Sequence, residues 1–121
     1  MADSNLLTWT FISKTTPTID LMNMLVEGEQ IIHCYKTVRD IAALTNKRLI
    51  IRDAQGITGK KVEIYSLPFR SIDMWSTENA GFLDINAEVE LWTKAGHFKL
   101  KVNSNCNIRE FELVLGNAIL D

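Results

Sequence analysis

The clearest pattern in the chain is a strict alternation of apolar and polar residues over positions 83–91. A period of two places successive side chains on opposite faces, so it predicts a strand with one face on a core and one face in water. After the turn 93–96 the alternation resumes over 97–102, which predicts an antiparallel hairpin. The apolar face of this hairpin comprises Leu83, Ile85, Ala87, Val89, Leu91, Phe98, Leu100 and Val102.

The alternation also restricts which residues of the hairpin face each other. If Val89 faces Leu100, then Glu90 lies opposite Lys99 and Glu88 lies opposite Lys101. A shift of two residues preserves the alternation, so the partners stay open. Cross-strand charge pairs contribute about 0.2–1 kcal/mol each, and the polar face is therefore expected to be solvated and self-neutralised.

Five further strands precede the hairpin, and turn residues separate them. We expect Val62 and Ile64 to point inward, and Ile72 and Met74 to share a face. Asn46 suits the turn between the second and third strands because asparagine tolerates positive φ. With the hairpin, seven strands at about ten-residue spacing indicate a mainly β protein, a bent barrel or sandwich. The five strands are predicted over 30–38, 41–45, 48–52, 61–67 and 70–77.

The N-terminal part of the chain is the least regular. Apolar and polar residues alternate from Leu7 to Phe11, which predicts either a short strand or an arm that docks its aromatic rings on the body. Thr16 followed by Pro17 is typical of a helix start, so we expect a short helix over about 18–25. We therefore divide the chain into an arm, 1–17, and a domain, 18–121. The predicted helical face consists of Ile19, Met22 and Val26.

The C-terminal segment changes to a helical period. Asn107 and Glu110 have the spacing of a capping box, in which an N-terminal side chain accepts from a backbone N–H of the first turn. One C-terminal helix after seven strands is expected to plug one end of the barrel. The core stripe comprises Ile108, Phe111, Leu115 and Ile119, and the apolar residues away from it are Leu113, Val114 and Leu120.

Composition and charge restrict the class of function. A chain of 121 residues with 46% hydrophobic and 23% charged residues is one ordinary globular domain. The net charge of -2 does not favour nucleic acid or an anionic membrane. We see neither a membrane span nor a secretory signal, and we expect Cys34 and Cys106 to be free thiols in a reducing cytoplasm.

Candidate catalytic and metal-binding motifs are weak, so we expect no enzymatic activity, metal or cofactor. The segment 56–61 resembles a phosphate-binding loop only superficially, because its spacing is too short and a strand follows it. His33 and Cys34 are adjacent on a strand and point to opposite faces, so they cannot share a metal without a bulge. The tryptophans, Trp9, Trp75 and Trp92, are more typical of core or interface anchors than of base-stacking platforms.

Several short motifs, taken together and in order, resemble the bacterial pleckstrin-homology (PH) domain family. The resemblance runs from about residue 20 to residue 120. It implies a bent seven-stranded barrel capped by a C-terminal helix, no enzymatic activity, and assembly into a cyclic homo-oligomer, with a pentamer expected. The motifs are Glu29, Tyr35-Lys36, Arg39-Asp40, LTNKRLI (44–50), GITGKK (56–61), PFRSI (68–72) and ENAG (78–81).

The resemblance also suggests two alternative surfaces. The first is a polar surface for an unknown protein partner, for which we select Asp84, Asn86, Glu88, Arg39 and Asp40. The second is a peripheral membrane patch, although the loop that holds inositol phosphates in lipid-binding relatives is reduced here to a tight turn. The basic residues of this alternative patch are Lys36, Arg39, Lys47, Arg48, Lys60 and Lys61.

Overall fold

Strands make up most of the computed structural model, which describes residues 7–55, 60–79 and 86–121. The helices are α1 (Ile19–Met22) and α2 (Ile108–Ile119), and single 3₁₀ turns cover Phe69–Ser71 and Ser104–Cys106. The strands are β1 (Leu7–Lys14), β2 (Ile31–Thr37), β3 (Asp40–Thr45), β4 (Arg48–Gln55), β5 (Lys61–Pro68), β6 (Ile72–Glu78), β7 (Asn86–Thr93) and β8 (Gly96–Asn103).

The strands form one curled sheet in the order β5-β4-β3-β2-β1-β8-β7-β6. This half-barrel with a C-terminal helix confirms the predicted fold class, but it contains eight strands rather than seven. The additional strand is β1, so the strand alternative is correct for Leu7–Lys14. It pairs antiparallel with β2 and parallel with β8, and so it joins the two halves of the sheet.

Of the hairpin registers that the alternation allows, the structure has the one in which Val89 faces Leu100. Val89 pairs with Leu100, Glu90 with Lys99 and Glu88 with Lys101. The close contacts run diagonally, however, with Lys99 Nζ 3.5 Å from Glu88 Oε1 and His97 Nε2 3.2 Å from Glu90 Oε2, and the second is an ion pair only when His97 is protonated. The polar face of the hairpin is therefore largely neutralised within itself.

The predicted inner face of β5 is wrong. Val62 and Ile64 are 41% and 43% exposed, whereas Tyr65 and Leu67 pack against the core. The reason is that β5 is apolar on both faces and lies at the end of the sheet, where only one face is covered. Its apolar outer residues therefore remain in solvent.

The predicted shared face of β6 is also wrong. Ile72 is buried, but Met74 is 53% exposed. The pairing of β6 with β7 shifts between these two residues, as in a β-bulge, so that Trp75 rather than Met74 packs against the core. A simple period of two does not hold across such an irregularity.

The N-terminal helix is shorter than predicted and buries a different residue. Its N-cap is Thr18 rather than Thr16, and it forms a single turn. Ile19, Met22 and Val26 are all exposed, whereas Leu21 is fully buried. Leu21 belongs to a small second core on the outer face of the sheet, together with Cys34, Ile41, Ala43 and Ile50.

The C-terminal helix caps the main core as expected. Asn107 accepts from the N–H of Glu110, which confirms the predicted cap. Phe111 is fully buried, and its ring lies 5.8 Å from those of both Phe11 and Tyr35. Val114, which we expected away from the core, is buried, while Leu113 and Leu120 are exposed.

Candidate interaction surfaces

A buried ion pair fixes the segment that follows α1 to the turn between β3 and β4. The side chain of Glu29 is completely buried and accepts from Arg48 Nε at 2.9 Å and from Arg48 Nη2 at 3.1 Å. Thr45 Oγ1 donates to the same carboxylate at 2.7 Å, and so does the N–H of Val26 at 3.0 Å. The two-pronged arginine contact and the additional donors satisfy the carboxylate in a site that excludes water.

The same arginine connects three parts of the chain. Besides Glu29, Arg48 donates to the carbonyl of Met24 at 2.9 Å and to Ser66 Oγ at 3.0 Å. Burial acts to raise the pKa of Glu29, but hydrogen bonds from Arg48, Val26 and Thr45 outweigh it and leave the pKa below the usual 4.5. Arg48 is therefore a structural residue with little capacity to bind an external anion.

Two adjoining clefts lie between the β3–β4 turn and α2. The first, of about 460 Å³, includes Lys47, Arg70 and the buried ring of Phe69, and the second, of about 540 Å³, includes Ile32 and Leu113. Asn46 and Ala118 line both clefts. Together they form a partly apolar groove beside the C-terminal helix.

The turn residue Asn46 acts through its side chain rather than through positive φ. Its Oδ1 accepts from the N–H of Gln30 at 2.8 Å, and its Nδ2 donates to the carbonyl of Gly28 at 3.1 Å. Among the described residues other than glycine, positive φ occurs at Asn107 and not at Asn46. Asn46 therefore ties the turn to the segment before β2.

At the other end of the strands, near the β2–β3 turn, a buried carboxylate joins this turn to β1 and β4. Asp53 is 5% exposed, and Trp9 Nε1 donates to its Oδ2 in a long hydrogen bond of 3.4 Å. Arg39 Nε lies 2.6 Å from Asp53 Oδ1, an ion pair that reaches the surface through the half-exposed arginine. This end of the half-barrel is thus polar at its rim and aromatic inside.

The basic residues of the predicted membrane patch fall into two groups. Arg39 lies before the start of β3, whereas Lys47 and Arg48 follow its end. The register pairs Gln55 with Lys61 and Arg48 with Pro68, so Lys61 lies at the far end of β4 from Arg48. At about 3.3 Å per residue, the two ends are roughly 20 Å apart. The first group contains Lys36, Arg39, Lys60 and Lys61, and the second contains Lys47 and Arg48.

The residues selected for a protein partner are also partly engaged. Asp84 lies outside the described residues. Asn86 begins β7, and Glu88 is bonded to the hairpin lysine described above. Arg39 contacts Asp53, and Asp40 lies 3.4 Å from Arg52. The hairpin residues and the turn residues lie on strands separated by β1 and β8, so they form two areas of the surface.

Each of the two cores contains one cysteine, and both cysteines are free thiols, as predicted. Cys34 and Cys106 are buried, and burial raises the pKa of each thiol to about 11. Such thiols are poor nucleophiles, because the thiolate is the reactive form. Within the described ranges there is no group of three or more metal-ligating side chains, and no helix has the length and apolarity that crossing a bilayer requires.

The sheet edges are a candidate surface that sequence reasoning did not assign to particular residues. In the part of the chain that the structure describes, β5 and β6 each pair on one side only. Both present exposed apolar side chains there, namely Val62 and Ile64 on β5 and Met74 on β6. The sequence contains one indication of this surface. Apolar residues occur on both faces of 61–67, whereas a strand with one covered face needs them on that face only.

Comparisons with known proteins agree with this architecture. The family model described as bacterial PH domain matches residues 1–119. A Shewanella loihica protein with a pleckstrin-homology domain, solved by crystallography, is 28% identical and covers 92% of this chain and 97% of its own, with a TM-score of 0.77.

Two proteins of Bacillus subtilis (strain 168) are similar in sequence. The uncharacterized protein YozO is 33% identical over 104 residues, which cover 86% of this chain and 90% of that protein. The uncharacterized protein YjqA is 47% identical over 73 residues. That match covers 60% of this chain and spans only 58% of the length of YjqA.

Proposed function

The chain belongs to the bacterial PH domain family, and we propose that it is a non-enzymatic module that assembles into a homo-oligomeric ring and presents a polar surface to a protein partner. The observation that carries the proposal is the pair of sheet edges with exposed apolar residues. An edge strand offers unpaired N–H and C=O groups to another chain unless it is covered or blunted.

The two edges differ, which favours a ring over a simple dimer. The strand β5 pairs with β4 in an unbroken register, whereas the pairing of β6 with β7 shifts between Ile72 and Met74. Contact between β5 of one copy and β6 of the next is heterologous, and such contacts close into a ring when the rotation divides a full circle. The family resemblance supplies the expectation of a pentamer.

The rest of the surface supports a polar face directed at another protein. In the β7–β8 hairpin, Glu88 lies opposite Lys101 and Glu90 lies opposite Lys99, so these charges balance and the face has little net field with which to attract a membrane or nucleic acid. The groove beside α2 offers apolar contacts through Ile32 and Leu113, framed by polar residues such as Asn46. An apolar centre with a polar rim is typical of protein interfaces.

Light scattering after size exclusion tests the assembly. We expect a particle several times larger than the 13.7 kDa chain at micromolar concentration, with a pentamer as the specific expectation. Ile64→Lys places a charge on the edge strand β5 and is expected to reduce the particle to a monomer or small species. Val38→Lys, at an exposed residue in the β2–β3 turn and away from both edge strands, is the matched control and should leave the particle size unchanged.

Each result has a definite reading. A wild-type particle near 13.7 kDa would contradict the assembly, and a dimer would contradict the ring. An unchanged ring in Ile64→Lys, Met74→Lys and the double variant would show that the edges are not the contact. Retained circular dichroism and melting temperature in each variant would exclude unfolding as the cause of a smaller particle.

The alternative is a peripheral membrane adaptor, and cosedimentation with anionic vesicles tests it. Each basic residue near such a surface contributes only about 1 kcal/mol, and salt screens the attraction. Because the six basic residues fall into two groups and Arg48 is neutralised, we expect no binding at low salt. Salt-sensitive binding that Lys60→Glu and Lys61→Glu abolish would favour the adaptor instead.

A further inference from the structure

A small cavity at the rim of the half-barrel is lined almost entirely by aromatic and aliphatic side chains. Its volume is about 90 Å³, so it can hold a group of a few heavy atoms. Trp9 is nearly buried, whereas Tyr65 and Phe98 are half-buried and lie where the cavity meets solvent. The lining residues are Trp9, Leu49, Tyr65, Ser66, Leu67 and Phe98.

The aromatic rings of this cavity meet at an angle, as the walls of a cage do. The rings of Trp9 and Tyr65 are 5.1 Å apart at 63°, and those of Trp9 and Phe98 are 6.2 Å apart at 31°. A group in the corner between them would contact more than one π surface. The negative faces of aromatic rings attract cations, most strongly for tryptophan.

The polar atoms of these rings are held by carboxylates outside the cavity. Trp9 Nε1 donates to Asp53, and the hydroxyl of Tyr65 donates to Glu63 at 3.0 Å. Neither carboxylate lines the cavity, so the hydrogen bonds fix the rings while their carbon surfaces face the space. Such support from neighbouring residues is what keeps a binding site in one geometry.

We propose that Trp9, Tyr65 and Phe98 form an aromatic cage that binds a methylated ammonium group, such as a trimethylammonium head. The apolar lining accepts the methyl groups, and the faces of the aromatic rings stabilise the positive charge. A bare ammonium or a metal ion is a poor fit, because the cavity's lining residues include no carboxylate, and the hydroxyls of Tyr65 and Ser66 are already bonded to Glu63 and Arg48. The site shares strand β5 with the proposed assembly contact, but Tyr65 and Leu67 face the core, whereas the exposed Val62 and Ile64 lie on the opposite face of the strand.

The test compares choline with its neutral isostere, 3,3-dimethyl-1-butanol, on the full-length protein. Indole N–H signals in nitrogen-15 NMR spectra report Trp9 directly, and Trp92 serves as an internal control because it lies outside the cavity. We expect choline to shift the Trp9 signal at concentrations at least about tenfold lower than the isostere requires, the size expected of a desolvated cation–π contact. Equal binding of the two compounds, or no saturable shift with choline, would overturn the proposal.

Variants then separate the cage from a general apolar cavity. Phe98→Leu keeps an apolar side chain but removes one ring, and we expect it to weaken choline binding several-fold while it leaves the isostere unaffected. Tyr65→Phe keeps the ring but removes its hydrogen bond to Glu63, and should weaken choline binding less than Phe98→Leu. Equal loss of both ligands in Phe98→Leu, with an unchanged melting temperature, would show that charge has no role.

Discussion

Replacing Phe111 with alanine is expected to lower the free energy of unfolding by about 3–5 kcal/mol, the usual cost of removing a buried aromatic side chain. Phe111 is fully buried and holds α2 against the rings of Phe11 and Tyr35. Its removal leaves a cavity where the helix meets β1 and β2. Urea denaturation followed by tryptophan fluorescence measures the change.

Arg109→Ala provides the control on the same helix. Arg109 is exposed and lies off the core stripe, so its replacement should cost well under about 1 kcal/mol. Equal losses of stability in the two variants would contradict the assigned helix face. A loss confined to Phe111→Ala, with an unchanged slope against urea, would support it.

Breaking the buried ion pair is expected to cost as much as the core substitution. Arg48→Met should lower the free energy of unfolding by about 3–5 kcal/mol, because it leaves the carboxylate of Glu29 buried without its cation. The double variant Glu29→Met with Arg48→Met removes both charges and should recover much of that loss. Urea denaturation of the two variants and the wild type measures both effects.

A second arginine on β4 is the matched control for this experiment. Arg52 lies 3.4 Å from Asp20 and from Asp40, but these contacts are partly exposed, so Arg52→Met should cost about 1 kcal/mol or less. Similar losses for Arg48→Met and Arg52→Met would show that the Glu29 contact is no stronger than a surface pair.

The pH dependence follows from the lowered pKa of Glu29. A carboxyl group whose pKa is lower in the folded state contributes its stabilisation above its ordinary value of 4.5 and loses it as the pH falls through the folded value. The wild type should therefore lose stability in acid more steeply than the Glu29→Met, Arg48→Met double variant. Parallel curves of unfolding free energy against pH would contradict this.

Sequence patterns predicted most reliably where one face of an element is covered and the other is solvated. The two faces of the β7–β8 hairpin and the capped helix α2 are of this kind, because each has a regular period and a single buried face. The same reasoning failed for β5 and for the N-terminal helix. Val62 and Leu67 are both apolar, and only the position of β5 at the end of the sheet decides which of them is covered.

Pairs that are distant in sequence were not predictable from local pattern. Glu29 and Arg48 are separated by two strands of the chain, and nothing in their immediate neighbours indicates that they meet. The contact of Trp9 with Asp53 is similar, because it depends on β1 entering the sheet. The basic residues of the predicted membrane patch lie in two groups for the same reason. The sequence does not show which end of a strand each of these residues occupies in the folded sheet.

The placement of β1 also determines when this domain can finish folding. Leu7 pairs with Phe98 and Phe11 with Val102, so the N-terminal strand waits for the last strand of the chain. Pairing over so long a separation carries a large loop-closure cost and is typically slow. During synthesis, β1 can pair with β2 early, but its other edge stays open until β8 has emerged from the ribosome. In that interval the open edge of β1 is available to a strand of another copy, which makes β1 the element most prone to exchange between copies.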